Sequence, residues 1–248
     1  MESDKAQVMK KVFLVCFVLI GLVAHAQKTK PATKPKTPVK APAPTTVKSK
    51  ERLVEISTNF GTMVVKLYDS TPLHRDNFIK LVQSGFYDSL LFHRVIQNFM
   101  IQAGDPASKY ADSTTMLGGG SAPGERIPAE FKRIFFHKRG ALAAARDGNP
   151  QKASSNCQFY IVHGNRITDE QLKQTEQNIQ AANPGFRYTM AQKEIYKRIG
   201  GTPFLDQNYT VFGEVISGMD TIDRIAALPK GTADRPRTDV RMRVRTLN

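Results

Sequence analysis

Apolar and polar positions trade places with a period of two along Leu53–Tyr68, broken only at Asn59-Phe60-Gly61. A run that alternates, turns and alternates again predicts a β-hairpin with one face buried. The period then changes. Thr71-Pro72 supplies a cap and a first-turn proline ahead of "LHRDNFIKLVQSG", where Phe78, Leu81 and Val82 share one face and Gly85 is the stop. That pattern predicts a helix. Short strand-like runs follow at 92–95, 98–103, 140–145, 158–163, 210–216 and 239–246. Glycine-rich turns separate several of them, notably "LGGGSAPGE" at 117–125. A second short helix is predicted at 219–227, "MDTIDRIAA". Many short strands with two helices predict a mainly-β fold: a closed eight-stranded antiparallel barrel capped by the helices.

One stretch departs from that rhythm. Within 165–202, Thr168 with Gln171 and Thr189 with Gln192 each match a capping box. Asn183-Pro184-Gly185 separates the two helical runs, and Gly200-Gly201 ends the second. Ala191, Ile195 and Ile199 recur every fourth residue and predict the buried face of the second helix. A packed two-helix hairpin is expected here.

The N-terminal region carries no such patterning. From Met9 it reads "MKKVFLVCFVLIGLVAHAQ": Lys10 and Lys11, an apolar run Val12–Val23, then Ala24-His25-Ala26. Charged, apolar and small-residue regions in that order predict a signal peptide over 1–26, cleaved before Gln27, with Met9 a candidate true start. The apolar run falls short of the roughly 20 residues that a membrane span needs, although an uncleaved anchor is the alternative. Residues 27–50, "QKTKPATKPKTPVKAPAPTTVKSK", contain only Val39 and Val47 as larger apolar side chains. This Lys/Pro-rich composition predicts a disordered linker. The folded domain is expected over 51–248. The protein should be exported, to the periplasm where the host has two membranes, and monomeric.

Charge changes the picture little once it is located. The net charge is +14, but residues 1–50 hold ten Lys against two acids. The rest hold 26 basic and 20 acidic residues, with no dense basic stripe, so no nucleic-acid partner is expected. Beyond the signal, Cys157 is the only cysteine, and His74, His93, His137 and His163 show no ligand spacing. No metal or other cofactor is implied. The "LGGGS" turn lacks the Lys-Ser/Thr and the helix of a phosphate loop.

The chemistry concentrates at 92–105, "FHRVIQNFMIQAGD". Arg94 lies among Phe92, Val95, Ile96, Phe99, Met100 and Ile101, and an unpaired buried guanidinium is costly. Either the arginine faces water, or it stands at the wall of an apolar pocket. In an extended segment Gln102, eight residues on, would face the same side, while His93 would point the opposite way. This segment resembles the central signature of the cyclophilins, the peptidyl-prolyl cis–trans isomerases. So do "RDNFIKLVQSGFYD", "GGGSAPGERIPAEF", "SSNCQFYIV" and "FLDQNYTVFGEVISGMD", in family order over about residues 52–246.

The resemblance implies isomerisation of Xaa-Pro bonds in proline-containing polypeptides, with Arg94 and Gln102 catalytic. It implies Phe99, Met100, Tyr160 and Leu205 as the proline pocket, Ala145 as a contact for the residues before proline, and Phe204 and Tyr209 as further groove positions. Tyr160 stands where the family often has Phe, which predicts a more polar pocket floor. Tyr209 stands where many members have His. Phe204 replaces the Trp of many eukaryotic members, so cyclosporin binding should be weak. Most members bridge the region of 165–202 with a far shorter loop, which makes this segment an insertion placed to shape the pocket rim. Two other functions fit the same residues: a proline-segment-binding chaperone or assembly module with little catalysis, and a tethered envelope scaffold.

Overall fold

The computed structural model describes residues 52–247. The signal peptide and the linker expected over 1–50 lie outside the described residues. Eight strands form one antiparallel sheet: β1 (Arg52–Thr58), β2 (Gly61–Leu67), β3 (Phe92–Ile96), β4 (Met100–Ala103), β5 (Ala141–Ala144), β6 (Phe159–Val162), β7 (Val211–Ser217) and β8 (Met242–Leu247). Their order is β3-β4-β6-β5-β7-β2-β1-β8. The sheet curls until its edges meet just ahead of β3 and β8. There Phe92 N–H donates to Val240 O and Met242 N–H donates to Leu90 O, at 2.9 and 3.0 Å. This seam is one isolated bridge, Leu91 with Arg241, where the expected closed barrel would have a full ladder.

Alternation along the strands splits the buried side chains between two faces. Val54, Ile56, Met63 and Val65 join Ile101, Ala103, Leu142, Phe159 and Ile161 in the main core. Helices α1 (Pro72–Gln83) and α4 (Met219–Ala226) cover it with Phe78, Val82, Ile222 and Ile225. Phe78, Tyr87, Phe159 and Phe212 pack there mostly edge to face. The other face carries a second cluster around Met100, Ala143, Tyr160 and Leu205, and the candidate site lies on it.

Two local expectations need correction. Thr71 does not cap α1. Its hydroxyl donates to Tyr68 O, and the Glu130 carboxylate, far off in sequence, accepts from Leu73 and His74 N–H instead. Both helices of 165–202 do form, α2 (Asp169–Ala182) and α3 (Met190–Ile199), each with its capping box complete. The buried face of α3, however, is Gln192 and Tyr196, while Ala191 and Ile199 are exposed. Polar partners decide this: Gln192 donates to Arg133 O at 2.7 Å and Tyr196 to Asp206 at 2.6 Å. With Leu172, Ile179, Phe186 and Tyr188, Tyr196 forms a third core, packed on Phe136.

Candidate functional site

The β3–β4 hairpin builds one wall of the site. Register shifts between Phe92 and Arg94, so strict alternation fails at His93. Phe92 and Val95, three residues apart, both enter the main core, and Arg94 turns to the opposite face. His93 is buried, at 3 % exposure, and borders the same cleft as Arg94 rather than lying on the far side of the sheet. Gln102 reaches Arg94 by cross-strand pairing and not by extension, because the chain folds back between them. The same row continues across the sheet: Gln102 pairs with Tyr160, and Tyr160 with Ala143.

Eight of the nine residues singled out in the sequence converge on one small cavity of about 100 Å³. Arg94, Gln102, Phe99, Met100, Ala145, Tyr160, Leu205 and Tyr209 line it. Met100, Tyr160, Ala145 and Leu205 are buried and give the cavity an apolar floor beside the polar side chains of Arg94, Gln102 and Arg146. Phe204 stands apart. It is 58 % exposed and reaches the site only through its ring, 5.6 Å from that of Phe99, so it belongs to the rim.

Arg94 answers its own puzzle by being half-buried. Its side chain is 40 % exposed, and Nε lies 3.7 Å from Asp234 Oδ2. Ala233 and Asp234, at φ of 56° and 58°, turn the chain back toward β3. Gln102 does not bond Arg94: its Nε2 donates to Gln158 Oε1 at 3.0 Å. Gln158 in turn donates to the carbonyls of Gly118 and Gly120. The buried Asp105 carboxylate accepts from the N–H groups of these same two glycines. The glycine loop therefore spends these N–H groups on Asp105 and these carbonyls on Gln158, which orients Gln102, and any likeness to a phosphate cradle is removed.

The hydroxyl of Tyr160 does not make the pocket polar. It meets Nε2 of buried His137 at 2.9 Å, behind the pocket. Burial first, then Tyr209 and Asp206, hold this phenol protonated well above its ordinary range. Four contributors escaped the sequence reading: Asp234, Gln158, His137 and Arg146. The guanidinium of Arg146 lies 4.7 Å over the Tyr209 ring and fixes that side of the cavity. Each acts through a partner distant in the chain, and only the basic character of Arg146 next to Ala145 offered a signal.

Comparison with known proteins supplies a family. Residues 53–246 match the family described as "Cyclophilin type peptidyl-prolyl cis-trans isomerase/CLD". A protein of Staphylococcus saprophyticus named "Putative peptidyl-prolyl cis-trans isomerase" is 36% identical over 197 residues, covering 79% of this chain and 91% of its own. A protein of the same name from Staphylococcus aureus strain USA300 is 38% identical over 197 residues, covering 78% and 90%. Among solved structures, a cyclophilin-type isomerase of Cryptosporidium parvum superposes with a TM-score of 0.58 at 23% identity, covering 80% of this chain and 99% of its own. A second structure of that protein was determined in the presence of the dipeptide Ala-Pro, with a TM-score of 0.57 at 23% identity.

Proposed function

The chain belongs to the cyclophilin-type peptidyl-prolyl cis–trans isomerase family, and we propose that Arg94 and the cavity beside it are the machinery of that isomerisation. Amide resonance sets a barrier of about 18–20 kcal/mol. Uncatalysed Xaa-Pro exchange takes roughly 10–100 s. No covalent bond is made or broken, so the catalyst needs only to favour the twisted amide over both planar forms. In this reading Phe99, Met100, Tyr160 and Leu205 hold the pyrrolidine ring while the acyl side rotates. Twisting returns a lone pair to the proline nitrogen. Arg94 donates to it from a guanidinium that keeps its charge and fork geometry throughout. Gln102, oriented by Gln158, takes the substrate backbone, and Ala145 meets the residues before proline.

The observation that carries this reading is that the half-exposed guanidinium of Arg94 lines the same small cavity, about 100 Å³, as the buried side chains of Met100, Tyr160 and Leu205. A chaperone that only grips proline segments needs the cavity but not the donor. An Ala-Pro peptide should show exchange broadening in its NMR spectrum with the protein far below stoichiometric amounts. Sharp, separate cis and trans lines under those conditions would leave binding alone. The Ala-Pro dipeptide used with the Cryptosporidium protein supports the choice of proline-containing polypeptides as substrates.

Four finer readings accompany this one. The seam between residues 89–92 and 240–242 closes the curled sheet as a barrel, and 165–202 is an insertion relative to most of the family. Export of the protein follows from the Met9–Ala26 segment, and the mass of protein from its own host tests it: a mature chain retaining the apolar run means an anchor instead. Phe204, exposed on the rim, gives weak cyclosporin affinity, and Phe204→Trp should tighten it; wild-type affinity equal to that of the substituted protein would remove this role.

A further inference from the structure

A carboxylate lies buried behind the cavity. Asp206 follows Leu205 directly and is 2 % exposed. One of its oxygens, Oδ1, accepts from the N–H of His137 at 2.8 Å and faces its Nδ1 at 2.6 Å. The other, Oδ2, accepts from the hydroxyls of Tyr188 at 2.7 Å and Tyr196 at 2.6 Å. The other ring nitrogen, Nε2, lies 2.9 Å from the Tyr160 hydroxyl. The His137 and Tyr160 rings also lie nearly parallel, 13° apart, with centroids 6.0 Å from one another. A continuous run of short bonds thus links α3 and the turn before it to two residues of the cavity, Leu205 and Tyr160.

Burying a carboxylate is costly unless its lone pairs are met by donors. His137 meets one oxygen, and the two phenols meet the other. Burial and, after it, the charge of Asp206 hold both phenols protonated far above neutral pH, so they remain donors. Tyr188 also donates to Pro203 O at 3.2 Å, inside the 203–205 turn that carries Leu205. The approach is close. A Cβ on Gly201, at φ +156°, would collide with His137 O and the Tyr196 ring.

We propose that Tyr188 and Tyr196 are positioning residues for the proline pocket, acting through Asp206 on Leu205 and through His137 on Tyr160; this rests on the reading of the pocket given above. The helical pair 165–202 then serves as the brace that keeps the pocket preformed. Without the phenols, Oδ2 of Asp206 is left buried and unpaired, and relaxation of Asp206 toward water carries Leu205 and His137 with it. A looser pocket holds the ring less well in the planar and twisted forms alike. The loss therefore appears in KM, whereas loss of Arg94 appears in kcat.

The test uses Tyr188→Phe, Tyr196→Phe and the double variant, because replacing the whole segment would also delete its apolar core. Rates on an Ala-Pro peptide are measured well below the melting temperature, with Arg94→Ala in parallel. Losing both bonds to a charged acceptor should raise KM about tenfold and leave kcat within about twofold. Each single variant should raise KM about threefold. Backbone resonances of Leu205 and Tyr160 should shift. An unchanged KM, even with a lowered melting temperature, overturns the proposal and leaves the tyrosines as scaffold. If the double variant does not fold, the single variants, each keeping one phenol on Asp206, carry the same criterion. Full kcat in Arg94→Ala would instead overturn the reading of the pocket itself.

Discussion

Arg94→Ala should lower kcat for Xaa-Pro exchange roughly 10²–10³-fold, the loss typical of removing one preorganised donor at a developing charge. KM should change little, because the apolar walls that grip the ring remain. The fold should survive. Arg94 makes a single long ion pair with Asp234, both side chains about 40 % exposed, and such a pair contributes about 0–1 kcal/mol. Rate and melting temperature measured on the same preparation decide the matter. A rate within a few-fold of wild type removes Arg94 from the chemistry, and a collapsed melting temperature makes it structural instead. Arg94→Lys should recover little of the rate, since a point charge lacks the planar fork.

Acidification should destabilise the protein through His93. Burial is the main cause that pushes its imidazole down from 6.5 to about 4, with Asp105 and the Leu91 backbone opposing and Arg94 and Arg235 assisting. Neither ring nitrogen makes a hydrogen bond of good geometry, the Leu91 backbone being only a weak neighbour. A group whose folded value lies below its unfolded one is protonated first in the unfolded chain. Stability is therefore full above about pH 6.5 and falls as the pH drops toward 4, by about 3 kcal/mol for this residue. His74 and His163 are lowered as well, chiefly by burial, so the wild-type loss is larger than the share of His93. Denaturant unfolding at pH 7 and pH 4.5 isolates that share by comparison with His93→Gln. The variant should lose distinctly less stability between the two pH values. Parallel losses would mean that His93 is protonated in the folded protein, with a partner that satisfies it.

The elements were legible where a local pattern sets them. The hairpin at Asn59-Phe60-Gly61, the strands, α4 and both capping boxes all follow from neighbours a few residues apart. The candidate site was legible to a similar depth, because a motif fixes residue identity at each position. Eight of nine chosen residues line one cavity for that reason, and Phe204 fell outside because a motif does not say whether a ring points in or lies on the rim.

What failed shares a cause. The cap of α1 comes from Glu130, the buried face of α3 is chosen by Arg133 O and Asp206, and Gln102 is held by Gln158. In each case a polar atom that loses water on folding takes the partner that the packed chain brings to it, and that partner lies beyond the reach of the local pattern, ten residues away for Tyr196 and more than fifty for the others. The bulge between Phe92 and Arg94 is the same kind of event in the backbone. By itself the sequence determined which side chains the candidate site has on offer: an arginine, a glutamine and a set of apolar side chains. Only the tertiary structure decided how they face one another. It turned Arg94 onto the face of Tyr160, aimed the Tyr160 hydroxyl away from the pocket into His137, and put two tyrosines of a helical hairpin on the carboxylate behind Leu205. Residue type sets what a side chain can offer, but burial raises the cost of leaving a polar group unpaired, and that cost selects the partners.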